Sequence, residues 1–127
     1  MEGRVNVTVC SRSRYEGGED VLVFIGSGLL KRTDEGWRLR YTAAAEDGSR
    51  VASDIALHDG CAAVRNMTNG GYTMQLDPAS PTAARIPTAV GALTMQVVTE
   101  KLNWSLDAEA SGRINMRYKL LALQQTL

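Results

Sequence analysis

The residue types that metal-binding and catalytic chemistry needs are few and scattered in this chain. The one histidine, His58, stands beside Asp59-Gly60 in a predicted turn, and the two cysteines, Cys10 and Cys61, lie far apart. Zinc takes about four nitrogen, sulfur or oxygen ligands, and no residues here have the spacing of a known zinc motif. We therefore expect no metal and no cofactor, although an all-carboxylate site stays open, and we expect both cysteines to be small buried residues.

No pairing of a nucleophile with a base can be identified. Gly26-Ser27-Gly28 lacks the spacing of a G-x-S-x-G elbow, and neither common phosphate-binding glycine loop is present. The paired carboxylates all fall in predicted loops, where acidic residues favour turns: Glu19-Asp20, Asp34-Glu35 and Glu46-Asp47. We expect no enzyme. The one set of residues from which a catalytic site could be built is a buried Arg65 beside Asp54 or Thr88.

The elements that must position these residues are short segments in which apolar and polar side chains alternate. About nine such segments can be counted between turn signals, which is typical of an antiparallel sandwich or barrel and not of alternating strands and helices. Along residues 92–107 the apolar phase changes by one residue between Val98 and Lys101. This change predicts a β-bulge, and a short helix near residues 100–106 is the alternative.

One hairpin register can be predicted with its facing residues. Glu46-Asp47-Gly48 predicts a three-residue loop with Gly48 in the left-handed region. That loop places Tyr41 opposite Ser53 and Leu39 opposite Ile55, so that apolar residues share one face.

The next two hairpins admit two registers, which decide the facing of Arg65. If His58-Asp59-Gly60 is a three-residue loop and Asn69-Gly70 a two-residue loop, the inward residues are Cys61, Ala63, Arg65 and Met67. If the loops are Asp59-Gly60 and Asn69-Gly70-Gly71, the inward residues are Ala62, Val64, Asn66 and Thr68. We favour the first register because it brings Met67 beside Tyr72. It also buries a charged arginine, which is costly unless the arginine is paired or bound to a ligand.

A second unusual segment, residues 21–25, is apolar on both faces. We expect Leu22 and Phe24 to line the core, which leaves Val21, Val23 and Ile25 outside. An exposed apolar strip indicates a partner or self-association, and the alternative is a terminal segment of the chain folded over it.

Charge and composition exclude several classes of protein. The 14 basic and 14 acidic residues balance, and a pI near 6.6 argues against a nucleic-acid clamp or a membrane-surface anchor. No apolar run approaches the ~20 residues of a membrane helix, and the chain starts without a signal-peptide stretch. We expect one cytoplasmic domain over residues 1–127, with no nucleic-acid or membrane partner.

Several features follow one another in a distinctive order along the chain. They are Gly28, a hairpin with Tyr41, an Asp-Gly turn, Arg65, Pro87-Thr88-Ala89-Val90-Gly91-Ala92-Leu93 and Gly112-Arg113-Ile114-Asn115-Met116-Arg117-Tyr118. This order resembles the bacterial YwiB-like family, a domain of unknown function with a calycin-like (lipocalin-like) β-barrel. The resemblance covers about residues 5–123. The sequence departs from it at Val90, where the family pattern has an aromatic residue.

The resemblance implies an all-β, antiparallel up-and-down barrel of about eight to nine strands. Such a barrel is either just filled by side chains or able to hold one small ligand. Our hypothesis is a small-molecule-binding barrel in which Arg65 orients an anionic or amphipathic ligand. The other candidate ligand-binding residues are Trp37, Tyr41, Met67, Tyr72, Thr88 and Tyr118. The alternative is a non-enzymatic interaction module with a filled core, which forms a homodimer through Val21, Val23 and Ile25.

Overall fold

The computed structural model describes residues 2–68, 71–107 and 111–122, which form nine β-strands. In chain order these are β1 (Glu2–Tyr15), β2 (Gly18–Arg32), β3 (Gly36–Ala44), β4 (Arg50–His58), β5 (Cys61–Asn66), β6 (Tyr72–Leu76), β7 (Thr82–Thr88), β8 (Gly91–Leu106) and β9 (Gly112–Ala122). The all-β prediction is confirmed, and residues 100–106 are strand and not helix. In the described part of the chain there is no helix that could span a membrane.

The strands form two antiparallel sheets. Strands β1 to β6 pair in chain order in the first sheet, and β7, β8 and β9 pair in chain order in the second. Residues 77–81 between the sheets include Pro78 and Pro81, which have no N–H to donate to a ladder. The Thr82 hydroxyl donates to the Gln75 carbonyl at 2.5 Å across this junction. The ladders of the described residues do not form a closed barrel; the edge strands are β1 and β6 in the first sheet and β7 and β9 in the second.

The predicted register of the hairpin between β3 and β4 is confirmed. Tyr41 lies opposite Ser53 and Leu39 opposite Ile55. Gly48 adopts a φ of 89°, and the Ala45 N–H donates to the Ser49 carbonyl at 2.8 Å to close the loop.

The predicted β-bulge is also confirmed. The register between β8 and β9 shifts between Thr99 and Lys101. The extra residue lets Val97 and Thr99 face the core before the bulge and Trp104 face it after the bulge, although their numbers differ in parity.

The register that we favoured for β5 is wrong. His58 lies opposite Cys61, so the loop has two residues, and Asp59 and Gly60 have φ values of 50° and 75°. Positive φ at both central residues is the type I′ turn that matches strand twist. The one-residue difference turns every β5 side chain over. Ala62 and Val64 are therefore buried, while Arg65 is exposed. The Asn69-Gly70 turn lies outside the described residues.

The core lies between the two sheets. Val7, Tyr41, Ile55, Leu57, Ala62, Val64, Met74 and Leu76 from the first sheet join Ala84 and Val97 from the second. The inner face of β2 carries Gly26, where an added Cβ would lie 1.9 Å from the Thr42 carbonyl oxygen. Only glycine allows β2 and β3 to approach this closely.

The expectation that both cysteines are buried is wrong. Both are free, Cys10 is exposed and Cys61 is half-buried. The even residues of β1 face away from the core that holds Val7, which places the Cys10 side chain on the outer face beside Val23.

Candidate functional site

A row of polar side chains crosses the inner face of the first sheet. Cross-strand pairing places Tyr41 opposite Ser53, Ser53 opposite Asn66, and Asn66 opposite Tyr72. Directly opposite residues share a face, so the four side chains line one continuous band. Tyr41 and Ser53 are buried at 7% and 3% exposure. This band interrupts an otherwise apolar core with hydroxyl and amide groups.

The second sheet contributes two further hydroxyls. Tyr118 on β9 lies opposite Thr99 on β8. Burial raises the pKa of the Tyr118 phenol, and the neighbouring Tyr72 and Tyr41 phenols raise it further. Tyr118 as a whole is 38% exposed. The influence of Tyr72 and Tyr41 on its pKa indicates that the three tyrosines of the two sheets lie near one another.

The hydroxyl of Thr99 is fully shielded from solvent and lacks a hydrogen-bond partner among the described residues. Thr99 is only 9% exposed, and its Oγ1 makes no hydrogen bond to any described residue. An unsatisfied buried hydroxyl costs about 1–3 kcal/mol. The Thr99 hydroxyl therefore has an unused donor and an unused acceptor.

The chemistry available here is hydrogen bonding by uncharged groups. The raised pKa keeps Tyr118 protonated at neutral pH, so its phenol can donate. The Asn66 amide is already engaged, because its Oδ1 accepts from the Thr68 N–H at 2.9 Å and its Nδ2 donates to the Tyr72 hydroxyl at 3.4 Å. The site suits a ligand head that both donates and accepts hydrogen bonds.

Of the seven candidate ligand-binding residues, the structure brings three close to one another and places three others elsewhere. Tyr41, Tyr72 and Tyr118 come together here. Trp37 lies on the same inner face as Tyr41 but four residues away along β3, with the Arg32 guanidinium 5.4 Å from its ring centroid. The residues that lie elsewhere are Arg65, Met67 and Thr88.

Arg65, Met67 and Thr88 lie away from the three tyrosines. Arg65 faces outward, and Met67 is 39% exposed beyond the end of β5. Thr88 is exposed at the β7–β8 turn, where its hydroxyl donates to the Gly91 carbonyl at 2.6 Å and accepts from the Val90 N–H at 3.3 Å. These bonds give Thr88 a role in closing the turn.

The outer face of the first sheet holds an ion-pair network that sequence analysis missed. Asp54 has a side chain only 6% exposed and accepts from Arg38 Nε at 2.9 Å and Nη2 at 2.7 Å. Arg40 Nη2 donates to the same carboxylate at 3.0 Å. The hydrogen bonds from Arg38 are the largest influence on the pKa of Asp54 and lower it, against the opposing effect of burial. Arg65 lies on the neighbouring strand β5, directly opposite Asp54.

The predicted apolar strip is present on the same outer face. Val21, Val23 and Ile25 are 50%, 48% and 69% exposed, while Leu22 and Phe24 turn inward and are half-buried. No segment of the described residues covers the strip.

The chain belongs to a family described as a domain of unknown function (DUF1934), whose model matches residues 7–127. The match covers nearly the whole chain and assigns it no activity. No curated protein matches the chain, and no solved structure matches it. The family match does not carry the YwiB-like name or the calycin-like barrel.

Proposed function

We propose that this chain binds one small amphipathic molecule with an uncharged polar head between its two sheets. The observation that carries the proposal is the buried Thr99 hydroxyl, which lacks a partner among the described residues and lies on β8 opposite Tyr118. A ligand hydroxyl or carbonyl would supply the missing hydrogen bond. The surrounding core residues would take the apolar part of the ligand.

The proposal includes a calycin-like architecture and binding without turnover. Neighbouring strands pair in chain order throughout both sheets, which is the order of an up-and-down barrel. In such folds the interior between the sheets is the ordinary place for a small ligand. The resemblance to the YwiB-like family points to the same architecture.

The character of the head group follows from the position of Arg65. The inner polar row contains no charged side chain, because Arg65 lies on the outer face. A carboxylate moved into this space would lose its hydration without gaining a cation. The ligand that we propose is therefore neutral at its head, in place of the anionic ligand that an inward Arg65 favoured.

Titration with 1-octanol and octanoate, monitored by NMR, tests the proposal. These probes have eight carbons each and differ in the charge of the head. We expect saturable binding of one 1-octanol molecule per chain, at least fivefold tighter than octanoate. No saturable binding of 1-octanol, or tighter binding of octanoate, would contradict the proposal.

Self-association is a second candidate, favoured by the long hairpin of β1 and β2. Residues 18–24 of β2 pair with β1 but not with β3, and a two-stranded ribbon is marginal by itself in water. The chain exposes 9023 Å², whereas a compact monomer of this mass exposes about 6,600 Å². A second copy of the chain packed on Val21, Val23 and Ile25 would cover part of this excess.

Replacing Val23 with lysine tests the second candidate. If the strip forms a homodimer, sedimentation should show a dimer for the native chain and a monomer for Val23→Lys, because the interface would have to bury an unpaired charge. Gln75→Lys adds the same charge at an exposed position on β6 and should leave the dimer intact. A native chain that stays monomeric at about 100 μM, well above the dissociation constants of stable dimers, would exclude this candidate.

A further inference from the structure

The outer face of the first sheet carries a groove of about 550 Å³ that is separate from the interior site. Its floor includes Ala56 and Ala63, which lie opposite each other on β4 and β5. Because both side chains are single methyl groups, the longer side chains around them form walls. The groove is shallow and open to solvent, so a ligand in it would lie along the surface of the sheet.

One end of the groove is cationic. Arg38 and Arg65 line it, and Asp54 lies between their strands. The Asp54 carboxylate neutralises one of the positive charges of the arginines, because it accepts two hydrogen bonds from Arg38 and one from Arg40. Arg65 makes no ion pair with any described residue. The bidentate pairing fixes the Arg38 guanidinium in place, and Arg65 is left as a cation with its donors available.

The opposite end of the groove is acidic. Asp34 and Glu35 line it at the β2–β3 turn, where the Gly36 N–H donates to the Thr33 hydroxyl at 3.0 Å. Both carboxylates are exposed, and neither makes an ion pair within the described residues. Gly36 lies opposite His58, four residues along β4 from Asp54. At about 3.3 Å per residue the two ends are about 13 Å apart at the backbone.

We propose that this groove binds a short zwitterion, with its carboxylate at Arg65 and Arg38 and its ammonium group at Asp34 and Glu35. The ligand that we propose has its two charges about 10 Å apart, which leaves room for the charged side chains at each end of the ~13 Å backbone span. A tripeptide with free termini has this length when extended, at about 3.3–3.6 Å per residue. The groove and the interior site lie on opposite faces of the sheet, so each proposal can fail without the other.

Three tripeptide probes separate the contributions of the two ends. Triglycine carries both charges, N-acetyltriglycine carries only the carboxylate, and triglycinamide carries only the ammonium group. In NMR titrations at low ionic strength we expect triglycine to bind at least tenfold more tightly than either capped form. Shifted resonances should map to β4 and β5 beside Ala56 and Ala63. Equal affinities, or N-acetyltriglycine binding as tightly as triglycine, would overturn the proposal.

Substitutions at the two ends of the groove then test which end binds which charged group of the tripeptide. Arg65→Gln should weaken triglycine and N-acetyltriglycine at least fivefold and leave triglycinamide unchanged. Glu35→Gln should weaken triglycine and triglycinamide and leave N-acetyltriglycine unchanged. Arg85→Gln is the matched control, because Arg85 is an exposed arginine on β7 of the other sheet, opposite Thr94. Unchanged triglycine affinity in Arg65→Gln, or an equal loss in Arg85→Gln, would overturn the assignment.

Discussion

Replacing Thr99 with valine should stabilise the ligand-free protein and weaken its binding of 1-octanol. Valine has nearly the shape of threonine but no hydroxyl, so the substitution removes a buried group that has no hydrogen-bond partner. We expect the free energy of unfolding to rise by about 1–2 kcal/mol, because the desolvation cost of that hydroxyl disappears. The affinity for 1-octanol should fall about tenfold, which corresponds to one lost hydrogen bond of about 1.4 kcal/mol.

Chemical denaturation and NMR titration measure these two effects in the same pair of proteins. Thr94→Val is the matched control, since Thr94 is an exposed residue of the same strand and should change neither quantity appreciably. Greater stability with unchanged affinity for 1-octanol would mean that the Thr99 hydroxyl destabilises the core and takes no part in binding. Lower stability would mean that the hydroxyl is satisfied in the folded protein.

Asp54→Asn should produce the largest loss of stability outside the core. Asparagine keeps the shape of the side chain but removes the charge that Arg38 and Arg40 share. Hydrogen bonds to charged groups contribute about 1.5–3 kcal/mol when buried. The two arginine side chains are 52% and 59% exposed, so we expect a loss near the lower end, about 1–2 kcal/mol.

The dependence of this loss on pH follows from the lowered pKa of Asp54. A carboxyl group with a folded pKa below its unfolded value of about 3.9 stabilises the fold above that pH. This contribution disappears as the pH falls through the folded pKa. The stability difference between the native chain and Asp54→Asn should therefore be full at pH 6 and shrink below about pH 4. Asp34→Asn removes the charge of an exposed carboxylate that makes no ion pair with a described residue and is the matched control.

The strand pattern, the three-residue loop at Gly48 and the β-bulge could be predicted from the sequence. Each of them depends on residues that are close together in the chain. Period-two alternation predicts which side of β1, β3 and β6 faces the core. Gly48 identifies the three-residue loop, since a φ of 89° is rarely adopted by other residues. The change of apolar phase before Lys101 predicts the bulge, because the residues after it must turn to keep Trp104 on the core side.

The facing of β5 could not be fixed by the same pattern. Both registers place small or apolar residues inside, with Ala63 in one and Ala62 and Val64 in the other, so burial hardly distinguishes them. The Asp59-Gly60 pair was the better signal, since this dipeptide favours a two-residue type I′ turn. A two-residue turn at Asp59-Gly60 predicts that Arg65 faces outward.

The candidate site depends on contacts between the sheets, which no strand pattern contains. Tyr41 opposite Ser53 follows from the predicted hairpin, and the polar row could be extended from there once the β5 register is known. The proximity of Tyr118 to Tyr41 and Tyr72 depends on how the second sheet faces the first across the core. The absence of a hydrogen-bond partner for the Thr99 hydroxyl can be recognised only from the three-dimensional positions of its neighbours.

Locating bound 1-octanol tests the central proposal most directly. With selectively labelled methyl groups, intermolecular NOEs report which side chains contact the ligand. We predict contacts from 1-octanol to the methyl groups of Thr99 and Val97, which lie on the core side of β8. Contacts confined to Val21, Val23 and Ile25 would contradict interior binding and favour the outer strip as the functional surface.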